Sequence, residues 1–103
     1  MLGSKIETLL AVAEYQNFTK AAASLSLTQP AVSHHISQLE EELGVTLFVR
    51  GKGSLMLTPE GEIVLKYARR IKALYGKMET EINNSRKQLT KVRIGITHTS
   101  ESN

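Results

Sequence analysis

Asn17-Phe18-Thr19-Lys20-Ala21-Ala22-Ala23-Ser24-Leu25, a break at Ser26-Leu27, then Thr28-Gln29-Pro30-Ala31-Val32-Ser33-His34-His35-Ile36-Ser37 is the stretch that decides the fold of this 103-residue chain. Thr19 is placed to cap a short helix in which Ala21, Ala22, Ala23 and Leu25 let a neighbouring helix approach closely, with Phe18 as an apolar plug before it. After a turn of about three residues, Thr28 caps the next helix, and Pro30 falls in its first turn, where a missing N–H costs nothing. Val32, Ile36, Leu39 and Leu43 give that helix a buried stripe, and Gly44 supplies the left-handed residue that commonly ends helices. Ser33, His34, Ser37 and Glu41 lie off the stripe and face outward. Two helices joined by so short a turn, the second with a polar outer face, predict a helix-turn-helix.

Upstream, Ser4-Lys5-Ile6-Glu7 reads as a capping box that starts a first helix, with Ile6, Leu9, Leu10 and Ala13 at helical spacing and Gln16-Asn17 as its turn. Downstream, Val45 to Arg50 and Leu55 to Thr58 are β-favouring runs joined by Gly51-Lys52-Gly53-Ser54, a small hairpin that predicts a wing. Thr58-Pro59-Glu60 restarts a helix with a cap, a first-turn proline and an acid at the positive end of the dipole. Val64, Tyr67, Ile71, Leu74 and Met78 then step by alternating threes and fours, with Ile82 beyond, which is a coiled-coil seam and implies a partner helix. The predicted fold is mainly α: a winged helix-turn-helix over 1–58, a long linker and dimerisation helix over 59–89, and over 90–103 the truncated start of another domain or a disordered tail. Within that tail Val92 to Thr97 alternates like a strand.

Composition removes whole classes of function. The absence of cysteine excludes disulfides, thiolate metal sites and cysteine nucleophiles. No apolar run reaches the roughly 20 residues that span a bilayer, so a soluble, cytoplasmic protein is expected. The chain has no Asp, its carboxylates cluster only as Glu40-Glu41-Glu42, and it lacks a glycine-rich phosphate loop, so no enzyme is expected. His34-His35 lacks a third ligand at suitable spacing, so no metal is expected, and His35 is read as packing toward a neighbour. The formal charge of +3 suits a polyanionic partner, but the basic excess lies in residues 59–103 rather than in the helix-turn-helix.

The major groove admits one α-helix and displays a distinct donor and acceptor pattern for each base pair. On the helix starting at Thr28, Gln29 can pair bidentately with adenine, Ser33 and Ser37 can bond base edges or phosphates, and His34 can donate to guanine or to a phosphate. The Pro30 ring can touch a thymine methyl, and the amides of the first turn, with Thr28, favour a phosphate. Arg50 and Lys52 are placed to meet the backbone or the minor groove. Arg69-Arg70-Lys72 is read as a solvated face, with DNA backbone contact as the lesser alternative. The near-neutral first half keeps a second reading open: a coiled-coil module whose helix-turn-helix surface takes a protein partner.

These residues also carry a family pattern. Asn17-Phe18-Thr19-Lys20-Ala21-Ala22, Leu25, Thr28-Gln29-Pro30-Ala31-Val32-Ser33, Ile36, Leu39-Glu40, Leu43-Gly44, Leu47-Phe48, Arg50, Leu57-Thr58 and Gly61 resemble the signature of LysR-type bacterial transcriptional regulators. The resemblance implies a winged helix-turn-helix that binds interrupted inverted repeats in promoters as a homodimer, often within a tetramer. It implies that Thr28, Gln29, Pro30, Ser33 and His34 read DNA and that Arg50 opens the wing. It further implies a C-terminal effector-binding domain starting near Lys91-Val92-Arg93-Ile94-Gly95-Ile96, with a small-molecule effector of unknown identity and no cofactor in these residues. The chain departs from the pattern at Gly53, where a second basic residue is usual, and at His34-His35, where glutamine or arginine is common.

Overall fold

Short-range backbone chemistry sets the helix boundaries. In the computed structural model, which describes residues 3–94 with side chains through residue 87, the elements are α1 (Ser4–Tyr15), α2 (Phe18–Leu25), α3 (Gln29–Leu43), β1 (Phe48–Arg50), β2 (Leu55–Leu57) and α4 (Pro59–Ile94). The first three helices each stop where one residue turns left-handed, at Gln16, Ser26 and Gly44, with φ of 51°, 57° and 69°. Each of these residues returns its N–H to a carbonyl of the last turn.

The starts differ from the sequence reading in two places. Ser4 is already helical, Gly3 occupies the cap position of α1, and no capping box forms there. Helix α2 begins one residue after Asn17, whose extended backbone lets its Oδ1 accept from the Lys20 N–H at 2.8 Å. Asparagine outranks threonine as a cap, and using it brings Phe18 into the helix. Thr19 is thereby left in the first turn of α2. Thr28 caps α3 as predicted, accepting from the Ala31 N–H at 3.3 Å, and Pro30 sits in the first turn.

Two units make up the chain, Met1–Ile71 and Lys72–Asn103. In the first, α1, α2 and α3 pack around Leu9, Val12, Ala21, Ala22, Val32, Ile36 and Leu39. Ala21 and Ala22 provide the close crossing expected of small residues. On α1 the buried positions are Thr8, Leu9, Ala11 and Val12, with Ala13 only half-buried. On α3 the stripe ends at Leu39; Leu43, the last residue before the Gly44 cap, is 48% exposed, and Val45 and Leu47 beyond the turn pack on the core instead. Thr8 is fully buried, and its hydroxyl lies 2.8 Å from Nδ1 of His35, so the histidine does pack inward and satisfies the polar group that burial would otherwise penalise. Lys5 of α1 pairs with Glu42 of α3 at the rim.

Strands β1 and β2 form the predicted hairpin, antiparallel with Phe48 opposite Leu57, Val49 opposite Met56 and Arg50 opposite Leu55. Its loop closes through the Gly51 N–H donating to the Ser54 carbonyl at 2.7 Å. Gly53 has φ +72°, a conformation that strains any residue with a Cβ, which accounts for glycine where a basic residue was the family expectation. The wing is fastened to the helices in three ways. Phe18 meets Phe48 edge-on with ring centroids 6.3 Å apart. Leu47 is fully buried. Its N–H donates to Oε2 of Glu40 at 2.7 Å. Glu40→Ala leaves that N–H without its acceptor and is expected to cost about 1–3 kcal/mol in urea melts. Glu40→Gln, which keeps a neutral acceptor, should lose about half as much, and a loss equal to that of alanine would assign the effect to charge alone.

At the start of α4, Thr58 donates its N–H to the Leu47 carbonyl at 2.9 Å, and its hydroxyl accepts from the Gly61 N–H at 2.8 Å while bonding the Thr46 carbonyl. Leu65 and Ala68, which the sequence reading did not single out, are buried in the first unit, and Val64 packs half-buried against the same core. In the second unit α4 continues to Ile94, about 54 Å in all at about 1.5 Å per residue. It passes the end expected near Leu89, so 92–94 are helical rather than a strand, and the remaining tail, 95–103, lies outside the described residues. No helix among the described residues is long and apolar enough to cross a membrane.

Candidate nucleic-acid interface

The first two turns of α3 project from the core with their polar side outward. Val32 and Ile36 face inward at 0% and 3% exposure, which by helical geometry turns positions 30, 34 and 37 toward the other side, while Gln29, seven residues before Ile36 and on its side of the helix, is exposed in the first turn. Thr28, Gln29, Pro30, His34 and Ser37 are exposed, and Ser33 is half-buried among them. Gln29 Nε2 donates to Ser33 Oγ at 2.9 Å, one turn along the same face. Arg50 and Lys52 are exposed on the wing.

A cleft of about 360 Å³ joins these elements, lined by Gln29 from α3, Arg50, Gly51 and Ser54 from the wing, and Asn17 and Thr19 from the start of α2. It brings together Gln29 and Arg50, which the sequence separates by 21 positions. Lys52, Ser33, His34 and Ser37 do not line it. Sequence alone reads Thr19 as a cap and so leaves the α2 start out of this surface; Asn17 takes the capping role, and Thr19 lines the cleft. The usable sequence signal was Asn17 itself, the better cap. Among the described residues, no group of three or more His, Asp or Glu is arranged to hold a metal ion.

A second surface lies along α4. Tyr67, Ile71, Leu74, Met78 and Ile82 are exposed by 49%, 44%, 66%, 46% and 42%, and Ile63 by 57%. Lys66 and Arg70 stand 5.0 and 5.2 Å from the Tyr67 ring centroid, so this aromatic is flanked by cations.

A three-helix core that offers the polar side of its third helix beside a two-stranded hairpin is a winged helix-turn-helix. Residues 4–62 match the family described as "Bacterial regulatory helix-turn-helix protein, lysR family", and the chain belongs to that family. It is similar to the HTH-type transcriptional regulator HdfR of Yersinia enterocolitica, 41% identical over 89% of this chain and 31% of the relative. It is also similar to the HTH-type transcriptional regulator CitR of Bacillus subtilis, 39% identical over 91% of this chain and 30% of the relative. The chain thus spans about a third of the length of the curated relatives it matches. Among solved structures it resembles the BenM DNA-binding domain in complex with benA site 1 DNA, with a TM-score of 0.74 and 38% identity over 78% of this chain and 90% of that one.

Proposed function

We propose that this chain is the sequence-specific DNA-binding part of a transcriptional regulator, acting in the cytoplasm by binding rather than catalysis. It reads inverted-repeat promoter sites as a homodimer. Helix α3 enters the major groove and presents Gln29, Pro30, Ser33, His34 and Ser37 to base edges, with Thr28 and the first-turn amides at a phosphate. Arg50 and Lys52 meet the backbone or the minor groove. The observation that carries the reading is Gln29, at the exposed start of α3, standing across one cleft from Arg50 of the wing. The likeness to a domain solved on DNA supports it. The protein-docking alternative has no observation in its favour. Pairing of two copies is supported by the apolar stripe of Tyr67, Ile71, Leu74, Met78 and Ile82, all of them exposed.

The test is fluorescence anisotropy on an inverted-repeat duplex drawn from a randomised pool and on a scrambled duplex, across a salt series. A steep salt slope and at least tenfold preference are expected. Gln29→Ala should cost about 1–3 kcal/mol at one base pair and relax the preference there, whereas Lys52→Ala should weaken all duplexes similarly and reduce the salt slope by about one. Indistinguishable behaviour of the two variants would remove the assigned roles.

A further inference from the structure

Everything that a phosphate, or the major-groove edge of guanine, offers to a protein is an acceptor. A helix that reads such a surface needs donors, and positive charge strengthens them. Helix α3 contains no Lys or Arg. Its ionisable groups are His34, His35 and the carboxylates of Glu40, Glu41 and Glu42, so with neutral imidazoles its side chains carry only negative charge. The two histidines differ in their surroundings. His35 is half-buried, with its Nδ1 2.8 Å from the Thr8 hydroxyl. His34 is exposed, opposite the buried Val32 and Ile36 and on the side shared by Pro30 and Ser37. Helices α1 and α2, packed against α3, carry Lys5, Glu7, Glu14 and Lys20. Lys5 pairs with Glu42, and among the described residues no ion pair or hydrogen bond engages the His34 side chain. The wing carries Arg50 and Lys52, whose charge is constant near neutral pH. Glu41, seven residues on and on the same side as His34, stands about 10 Å along the axis, too far to neutralise it.

We propose that DNA binding by this chain is coupled to proton uptake at His34, whose imidazolium supplies the outward side of α3 with its positive charge. Histidine is the side chain that changes charge between pH 5 and 8, so this position is a cation at the lower end of that range and a neutral ring at the upper end. The neutral ring has one N–H donor and one acceptor nitrogen, whereas the charged ring has two donors and no acceptor. Against a surface of acceptors only the charged ring can use both nitrogens, and at a phosphate it also releases a counterion from the duplex. Because the duplex favours the protonated ring, binding draws a proton onto His34. By linkage, a lower pH strengthens binding, and the gain is lost as pH rises. Arg50 and Lys52 on the wing supply a part of the affinity that does not vary with pH. The inference rests on the DNA-binding role given to α3 above.

Anisotropy titrations of the whole chain on a rhodamine-labelled copy of the selected inverted repeat test it, from pH 6 to pH 8 at fixed ionic strength, with wild type, His34→Gln, His34→Arg and His35→Gln. Wild-type affinity is expected to fall roughly tenfold across that range, with a salt slope steeper by about one per protomer at pH 6 than at pH 8. His34→Gln keeps a donor but no titrating charge, so its affinity should stay flat near the wild-type value at pH 8. His34→Arg, charged throughout, should also lose the pH slope while keeping the steeper salt dependence at both ends. His35→Gln should keep the wild-type slope. Calorimetry at pH 7 in two buffers of different ionisation enthalpy counts the protons directly: wild type should take them up on binding, and His34→Gln should take up almost none. Thermal melts at pH 6 and pH 8 should be alike for wild type and His34→Gln, which assigns the slope to binding rather than folding. A wild-type affinity that is flat from pH 6 to pH 8 on a duplex it prefers overturns the proposal, and so does a slope that survives His34→Gln. If no duplex is preferred over its scramble at either pH, the DNA-reading role of α3 fails first and this inference fails with it.

Discussion

Gly61→Val is expected to lower the melting temperature of this chain by roughly 10–20 °C. A Cβ at Gly61 would stand 2.3 Å from the Leu47 carbonyl oxygen, 3.1 Å from its carbon and 2.9 Å from Cδ2 of Leu57. The Leu47 peptide has nowhere to go. Its oxygen accepts from the Thr58 N–H at 2.9 Å, its N–H is held by Glu40, and its side chain is fully buried. Overpacking against fixed backbone costs about 1–3 kcal/mol or more, and valine adds poor helix propensity to a clash that alanine meets with its methyl alone. Gly61→Ala should therefore fall between wild type and Gly61→Val. The control lies further along the same helix. Gly76 is exposed with nothing within 4 Å of a Cβ, so Gly76→Ala should stabilise by about 0.5–1 kcal/mol through reduced backbone entropy. Circular dichroism melts of the three variants decide the matter: if Gly61→Ala stabilises as Gly76→Ala does, the close approach of α4 to Leu47 is wrong.

The second large effect concerns pairing. Leu74 is 66% exposed in the middle of the α4 stripe, and Leu74→Glu places a charge where a coiled-coil partner would bury it. It is expected to convert a dimer into a monomer at micromolar concentration, measured by light scattering after size exclusion. Because each half-site contributes through effective concentration, affinity for the inverted repeat should fall roughly 100-fold, while affinity for a single half-site stays unchanged. Thr80→Glu, exposed but off the stripe, should do neither. A Leu74→Glu protein that stays dimeric would move the pairing surface away from α4.

Local backbone chemistry made much of this molecule legible in advance. Thr28 with Pro30, Gly44, and Thr58 with Pro59 act on groups within a few residues of themselves, and each marks the boundary that its chemistry requires. The hairpin followed from its turn residues for the same reason. The exposed polar face of α3 followed from its apolar complement, since helical period places Pro30, His34 and Ser37 opposite Val32 and Ile36, whereas the exposure of Gln29, on the Ile36 side, comes from its place in the first turn.

Choices between competing partners were a different matter, because period shows that a face is apolar but not what covers it. Helix α4 carries two apolar faces: Leu65 and Ala68 are buried in the first unit, whereas Tyr67, Ile71 and Leu74 are left to solvent, with Val64 packed half-buried on the core. Asn17 and Thr19 both cap well in isolation, and the packing of Phe18 on Phe48 accompanies the use of Asn17. The meeting of Gln29 with Arg50 at one cleft, the bond between Thr8 and His35, and the need for glycine at 61 all depend on groups distant in sequence. The sequence by itself determined the boundaries set by Thr28, Gly44 and Thr58 and which sides are apolar, since those are properties of single turns. Only the tertiary structure decided which apolar side is covered and which polar groups meet, since those depend on how the turns are brought together.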